Sequence, residues 1–352
     1  MMRTILSITV LFYSAIACSQ QVFFKSKQSF AEKELAKFYS SVTVAGDMIL
    51  FNACDYNLYA YDLQSVRQLW ATNLGYKTNK PVFVSNNRIY AHYYENEREN
   101  TAILDAGNGA KLKVLPLGPL ETTPREINGI LYGTAIYDGG CVFAYNIKGD
   151  SVDWYRFIAH GVSTQPYYGE KEIWANAEAD NWFRIDYKGR LLDTTCKVKA
   201  DMFVQDIPCI DQYRLLSHDK KQVKTEQLQK LFDGNSVEEL QSYFTAKNSF
   251  LLNEDQLIIL SDKLKTKNKI DITDLSDSLR ESEGAVKKIL KADDKRVWLL
   301  YNNWFVVYNY NDKKLEKELS LSQWEPHQAV VDDQRLWIIS RKDGLLYGVN
   351  IN

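Results

Sequence analysis

A short apolar strand carrying a pair of large side chains recurs along the whole chain, and this repeat restricts the fold more than any other feature. The pairs are Ile49-Leu50, Ile89-Tyr90, Leu131-Tyr132, Ile173-Trp174, Arg214-Leu215, Leu257-Ile258, Val297-Trp298 and Leu336-Trp337. Their second members are spaced by 40, 42, 42, 41, 43, 40 and 39 residues. All but the fifth follow a polar turn such as Gly46-Asp47 or Asn128-Gly129, as tight hairpins require. Further on in most copies comes an alternating strand ending in Asp or Asn: Leu58–Asp62, Ala102–Asp105, Val142–Asn146, Trp182–Asp186, Phe305–Asn309 and Leu346–Asn350. That terminal side chain can bond the backbone two residues on and start the next turn.

Proline reports the same period independently. Pro81, Pro124, Pro166, Pro208 and Pro326 each stand just before the first strand of a copy, where a missing N–H is tolerated. A unit of four short strands cannot bury both faces of its sheet alone; neighbours stacked in a ring bury them. The expected fold is therefore an all-β, eight-bladed β-propeller of four-stranded antiparallel blades, with seven blades as the alternative. The repeats fall near 40–78, 79–121, 122–162, 163–200, 201–244, 245–285, 286–325 and 326–352. The last copy ends before a fourth strand, so Gln21–Lys25, within an N-terminal segment 18–39, is expected to close the ring. Ser29–Glu32 resembles a capping box and predicts a short helix over Phe30–Phe38. The β pattern lapses between Lys221 and Lys247. There a second capping box, Ser236–Glu239, with Val237, Leu240, Tyr243 and Phe244 on one helical face, predicts a small helical insertion around 222–246.

Composition sharpens the function classes. The 352 residues hold 43 Lys+Arg and 45 Asp+Glu, a net charge of −2, which argues against a nucleic-acid partner. Met1–Ala17 has a basic start, an apolar stretch and Ala15-Ile16-Ala17, the form of a signal peptide with its cleavage site. Cys18 follows directly and resembles the acylated cysteine of a bacterial lipobox, although Ala15 stands where Leu is usual. The expectation is export to the periplasm or outer membrane, with membrane contact through a lipid on Cys18 and simple secretion as the alternative. Cys54, Cys141, Cys196 and Cys209 lack metal-ligand spacing. They allow three disulfide pairings, of which Cys196–Cys209 is closest in sequence, or remain thiols. His92, His160, His218 and His327 are scattered, and no catalytic signature is present.

The unit Leu58-Tyr59-Ala60-Tyr61-Asp62 followed by Trp70, and the turn Asp105-Ala106-Gly107-Asn108-Gly109, resemble the pyrroloquinoline-quinone-like (PQQ-like) repeat. The resemblance is strongest in the first four copies, and Val66 stands where Gly is usual in the first. It implies a propeller and two functional classes. One is a non-catalytic binding scaffold of the cell envelope, similar to the barrel-assembly lipoprotein of the outer membrane (BamB-like). The other is a quinoprotein oxidoreductase using PQQ and Ca2+. The chain is short for the second class and has no adjacent cysteine pair, so no cofactor, no metal and no enzyme activity are expected. The many aromatics suggest a carbohydrate-binding propeller as a third reading.

The expected scaffold would bind a protein partner or envelope component through loops on one face. In a propeller the hairpins between second and third strands share a face with the blade-to-blade connections. Asp55, Asn57, Asp138, Asp180, Asn181, Asn303 and Asp343 fall in or beside those hairpins. Asp, Asn and Gly are also what such turns need.

Overall fold

The computed structural model describes residues 21–31, 41–75, 80, 82–137, 139–160, 166–176, 181–197, 229–234, 240–245, 247–261, 265–284, 286–332 and 334–351. Among these residues the strands form seven four-stranded sheets. The blades run Val42–Asn73, Phe83–Val114, Arg125–Ala159, Tyr167–Lys197, Gln241–Asp271 and Lys287–Ser320; the seventh joins Pro326–Asn350 to Val22–Ser29. Every strand pairing is antiparallel, mostly between consecutive strands. The described residues thus form a propeller with the alternative count of seven blades rather than eight. The fifth expected pair, Arg214-Leu215, lies outside them.

The recurring pair of large residues has a simple cause. Successive side chains of a strand point to opposite faces, and in a stacked ring both faces are buried. Ile49 packs into the seam with the seventh blade, whereas Leu50 packs into the seam with the second. Ile89 and Tyr90, Leu131 and Tyr132, Val297 and Trp298, and Leu336 and Trp337 divide in the same way between preceding and following seams. Most of these side chains are fully buried. Each such burial contributes roughly 1.5–3 kcal/mol, so the seams are the core of the molecule.

This rule also exposes a slip of phase. Ile258 lies on the third strand of its blade, Gln256–Ser261, instead of the second, Asn248–Asn253. Leu251-Leu252 is the equivalent pair, with Leu252 in the seam to the sixth blade. Two equally apolar strands flank the Glu254-Asp255 turn, so periodicity alone did not separate them. The expected helix around 222–246 is corrected as well: Gln241–Phe244 is the first strand of the fifth blade, paired with Ser249–Leu252. Sheet pairing prevails here over a helical pattern. A helical turn occupies 229–231. The connection from fifth to sixth blade holds two more turns, Ile272–Asp274 and Asp277–Arg280, capped by the Asp271 and Ser276 side chains. Their Ile272 and Leu279 enter the fifth–sixth seam. Most of the expected helix Phe30–Phe38 lies outside the described residues.

Two seams share a tryptophan clasp. Trp70, on the fourth strand of blade one, donates its indole N–H to the Ala106 carbonyl of blade two at 3.0 Å. Trp154 of blade three donates to the Tyr187 carbonyl of blade four at 3.2 Å. Each ring lies over a glycine in the neighbour's turn, Gly109 (φ +72°) or Gly189 (φ +78°). A Cβ there would sit 2.5 Å or 2.6 Å from the indole, so these turns require glycine for both conformation and space.

The expected ring-closing strand is present. Val22–Ser29 forms the outer strand of the seventh blade, with Val22 opposite Val349 and Ser29 opposite Leu345. Ser26 Oγ accepts the Leu346 N–H at 2.9 Å. Phe23 and Phe24 pack edge-on against Trp337, with ring centres at 5.3 Å and 5.5 Å.

Candidate functional site

The hairpins between second and third strands and the blade-to-blade connections meet on one face. Leu74 N–H donates to the Tyr56 carbonyl at 2.7 Å, and Leu321 N–H to the Asn303 carbonyl at 2.6 Å. On this face Asp55 is exposed and accepts the Asn57 N–H at 3.2 Å and the Tyr59 hydroxyl. Asn57 Oδ1 accepts from the Asn73 amide at 3.2 Å. Asp343 accepts the Leu345 N–H at 3.2 Å and the Tyr347 hydroxyl, with Lys25 Nζ at 3.7 Å. Burial raises the Asp343 pKa, but those hydrogen bonds and the Lys25 charge bring it below the ordinary carboxylate value. Asp55 and Asp343 each bond the tyrosine four residues ahead, which pins the hairpin to its third strand.

Asn303 is half-buried beside the Leu321 backbone. Asn181 opens the third strand of blade four opposite Lys197; its side chain lies outside the described set. Cys18, Asp138 and Asp180 lie outside the described residues. Among the described residues, the predicted positions stand on separate blades apart from the neighbours Asp55 and Asn57, and no hydrogen bond or ion pair gathers them into one site. Cys54 and Cys141 carry thiols on different blades; the Cys196–Cys209 pairing lies outside the described residues.

Two features of this face go beyond the seven predicted positions, although Lys80, Arg125 and His160 fall in its expected blade-to-blade connections. The first is aromatic. The outer strand of blade three, Ser151–Ala159, alternates so that Trp154 and Arg156 turn towards blade four, Arg156 donating to the Gly189 carbonyl at 2.7 Å. Tyr155 and Phe157 have the opposite parity and are 48% and 50% exposed. Tyr137, from the hairpin above, meets Tyr155 edge-on at 5.4 Å, and His160 meets Phe157 at 5.6 Å. A shallow hollow runs along Val152–Phe157. The signal was legible in Ser151–Ala159, where large rings occupy both parities of a strand that can bury only one.

The second is a polar ring around the channel mouth, where the first strands begin. Lys80 pairs with Glu121 at 3.4 Å. His92 is buried behind them, with Nε2 at 3.1 Å from the Leu120 carbonyl. Burial, then the Lys80 charge, depresses its pKa to about 4. Thr122 and Thr134 share a 2.6 Å hydrogen bond, and Arg125 donates to the Tyr168 carbonyl at 2.8 Å. Asp255 reaches across the fifth–sixth seam to Lys287 at 2.7 Å and to the Tyr301 hydroxyl. Burial raises the Asp255 pKa, and these two partners more than reverse it.

Comparison with known proteins agrees with the architecture. No family model matches the chain, and no curated protein matches it. Among solved structures, the computationally designed Ika8 protein is 12% identical over 92% of this chain and 100% of its own, with a TM-score of 0.58. The β-propeller domain of Cps50 (Swd1) from Myceliophteria thermophila is 9% identical over 95% and 100%, with a TM-score of 0.52. BamB from Moraxella catarrhalis is 13% identical over 89% and 82%, with a TM-score of 0.43. The chain is a β-propeller. At these identities the likeness to the Ika8 and Cps50 (Swd1) propellers is one of fold alone.

Proposed function

We propose that this propeller is a non-catalytic binding scaffold of the cell envelope, engaging a protein partner or envelope component through its loop face. The aromatic cluster of Tyr137, Tyr155, Phe157 and His160 at the rim of that face supports the reading. Large exposed rings grouped together are unfavourable in water and are enriched where a partner removes them from it. The second part of the proposal is export and lipid attachment at Cys18, resting on the segment Met1–Ala17. The strand Val22–Ser29 starts at the end of the seventh blade opposite the loop face, because Val22 pairs with Val349 and Ser29 with Leu345. A lipid just upstream would therefore leave the loop face turned away from the membrane.

The test is photo-crosslinking in native membranes from position 157, with position 314 on another blade as the control. A discrete adduct at 157 alone, lost in the Tyr155→Ala/Phe157→Ala protein when the probe sits at 137, is expected. Identical adducts from 157 and 314 would overturn the proposal. The same rings would serve as a stacking platform for sugars, so glycan-array binding lost in that double variant would favour the carbohydrate reading instead.

A further inference from the structure

The channel mouth between the sixth and seventh blades carries cations that the scaffold reading does not use. Lys288 is the second residue of the strand Lys287–Ala292, the first strand of blade six. His327 is the second residue of Pro326–Val331, the first strand of blade seven. These strands lie side by side. Arg341 directly follows the strand Arg335–Ser340, whose Ser340 pairs with Pro326, and its N–H is held by the Trp324 and Glu325 carbonyls at 3.0 Å and 3.1 Å. Three basic side chains thus occupy the same depth at one end of the channel.

Four acids on the surrounding elements are engaged elsewhere. Asp255 bonds Lys287 and Tyr301, Glu325 pairs with Lys342 at 3.4 Å, Asp343 is held by Tyr347 and Lys25, and Glu318 accepts from Ser276 at 2.9 Å. Among the described residues, neither Lys288 nor Arg341 has an ion-pair partner. Lys288 is solvent-accessible but closely walled: desolvation first, then the Arg341 charge, lowers its pKa. Desolvation, then Arg341 and Lys288, holds His327 at about 4. At neutral pH the His327 ring is therefore uncharged, and Lys288 and Arg341 are left as two like charges near each other, which is costly unless an anion sits between them.

We propose that this mouth binds a tetrahedral oxyanion, phosphate or a phosphoryl group, with Arg341 and Lys288 as its charge partners and His327 beside it. A guanidinium presents a fork that matches two phosphate oxygens, and an ammonium adds a compact point charge. Two fixed positive charges match a dianion better than a monocarboxylate.

The experiment is calorimetric titration of the full chain with inorganic phosphate and with glycerol 3-phosphate, against acetate at equal ionic strength. One saturable site is expected for phosphate. Tighter binding of the ester would mark a carried phosphoryl group as the ligand, and tighter binding of inorganic phosphate a free ion. Lys288→Gln and Arg341→Gln should each weaken binding by ~10-fold or more, since each removes a charge-assisted contact. Lys314→Gln, at the opposite end of blade six where Lys314 pairs with Asn309, should leave it unchanged. The His327 ring resonances should shift saturably with phosphate, which reads the site without any variant. Binding no tighter for phosphate than for acetate, unmoved His327 resonances, or equal affinity in the Lys288→Gln and Arg341→Gln proteins would overturn the proposal.

Discussion

Gly109→Ala separates the two reasons for a glycine at the tryptophan clasp. Gly109 has φ +72°, so any side chain there carries a left-handed backbone penalty of roughly 1–2 kcal/mol. The new Cβ would also lie 2.5–2.6 Å from Trp70 ring atoms and Thr72 Oγ1. The ring is 8% exposed and wedged into the first–second seam, so it has little room to retreat. Displacing it would break the Trp70–Ala106 hydrogen bond, a net loss of about 1 kcal/mol, and loosen packing by a further 1–2 kcal/mol or so. The expected total is ~3–5 kcal/mol. Gly129→Ala is the internal control, because Gly129 has φ +79° but nothing within 4 Å of the added Cβ. It should cost only the backbone share, ~1–2 kcal/mol. Urea denaturation followed by circular dichroism, with slopes compared alongside midpoints, measures both. Gly189→Ala, facing Trp154, should behave like Gly109→Ala. If Gly109→Ala and Gly129→Ala lose the same stability, the clasp contributes nothing beyond its backbone conformation and the reasoning is refuted.

Further outcomes are open to simple measurement. His92 has a folded pKa of about 4 against 6.5 unfolded, so the unfolded chain takes up a proton that the folded one refuses. Stability should therefore fall as pH drops from 6.5 towards 4, by up to about 3 kcal/mol from this group, and His92→Gln should flatten that slope in thermal melts. Cys141 is buried, and desolvation, against weaker bonds from the Ala135 and Tyr137 backbone, lifts its pKa to about 11. It should resist thiol reagents in the native protein and react only at the rate of unfolding, as mass spectrometry of pulse-labelled protein would show. Phe24→Ala removes a ring that meets Trp337, Tyr61 and Phe51 across the closing seam. It should cost ~2–3 kcal/mol, somewhat below a fully buried Phe because the side chain is only partly covered. A loss under ~0.5 kcal/mol would mean that the N-terminal strand is held by its backbone pairing alone.

The blades were readable because stacking makes two adjacent positions apolar at once, and few other folds impose that on a fixed period. Ile49-Leu50 and Leu336-Trp337 show it most plainly, each residue serving a different seam. The reading faltered where that signal lost its contrast. Asn248–Asn253 and Gln256–Ser261 are both apolar, so their order within the blade was ambiguous until the direction of Leu252 was known. Tyr243 suits a helical stripe as well as a strand, and only pairing with Phe250 decides between them. The candidate site was less legible for a different reason. Asp55 and Asp343 look like binding groups in a list of loop residues, yet each has a local partner, Tyr59 or Tyr347, that a linear pattern shows only in retrospect. The cations at the channel mouth come from consecutive repeats, about 40 residues apart, and their proximity is a property of blade stacking that no local window contains.

Closure by Val22–Ser29 also sets the order of events when the chain is made. The first described strand pairs with the last described one, and the Ser26–Leu346 bond spans 320 residues. Throughout synthesis the leading strand must wait without its sheet, and the growing stack keeps an open flank until its final residues arrive. Loop closure over such a distance is slow, so the ring is vulnerable to pairing with other chains for its whole assembly time. Once shut, the same strand ties the two ends of the chain into one sheet, and fraying at either end must then break a blade.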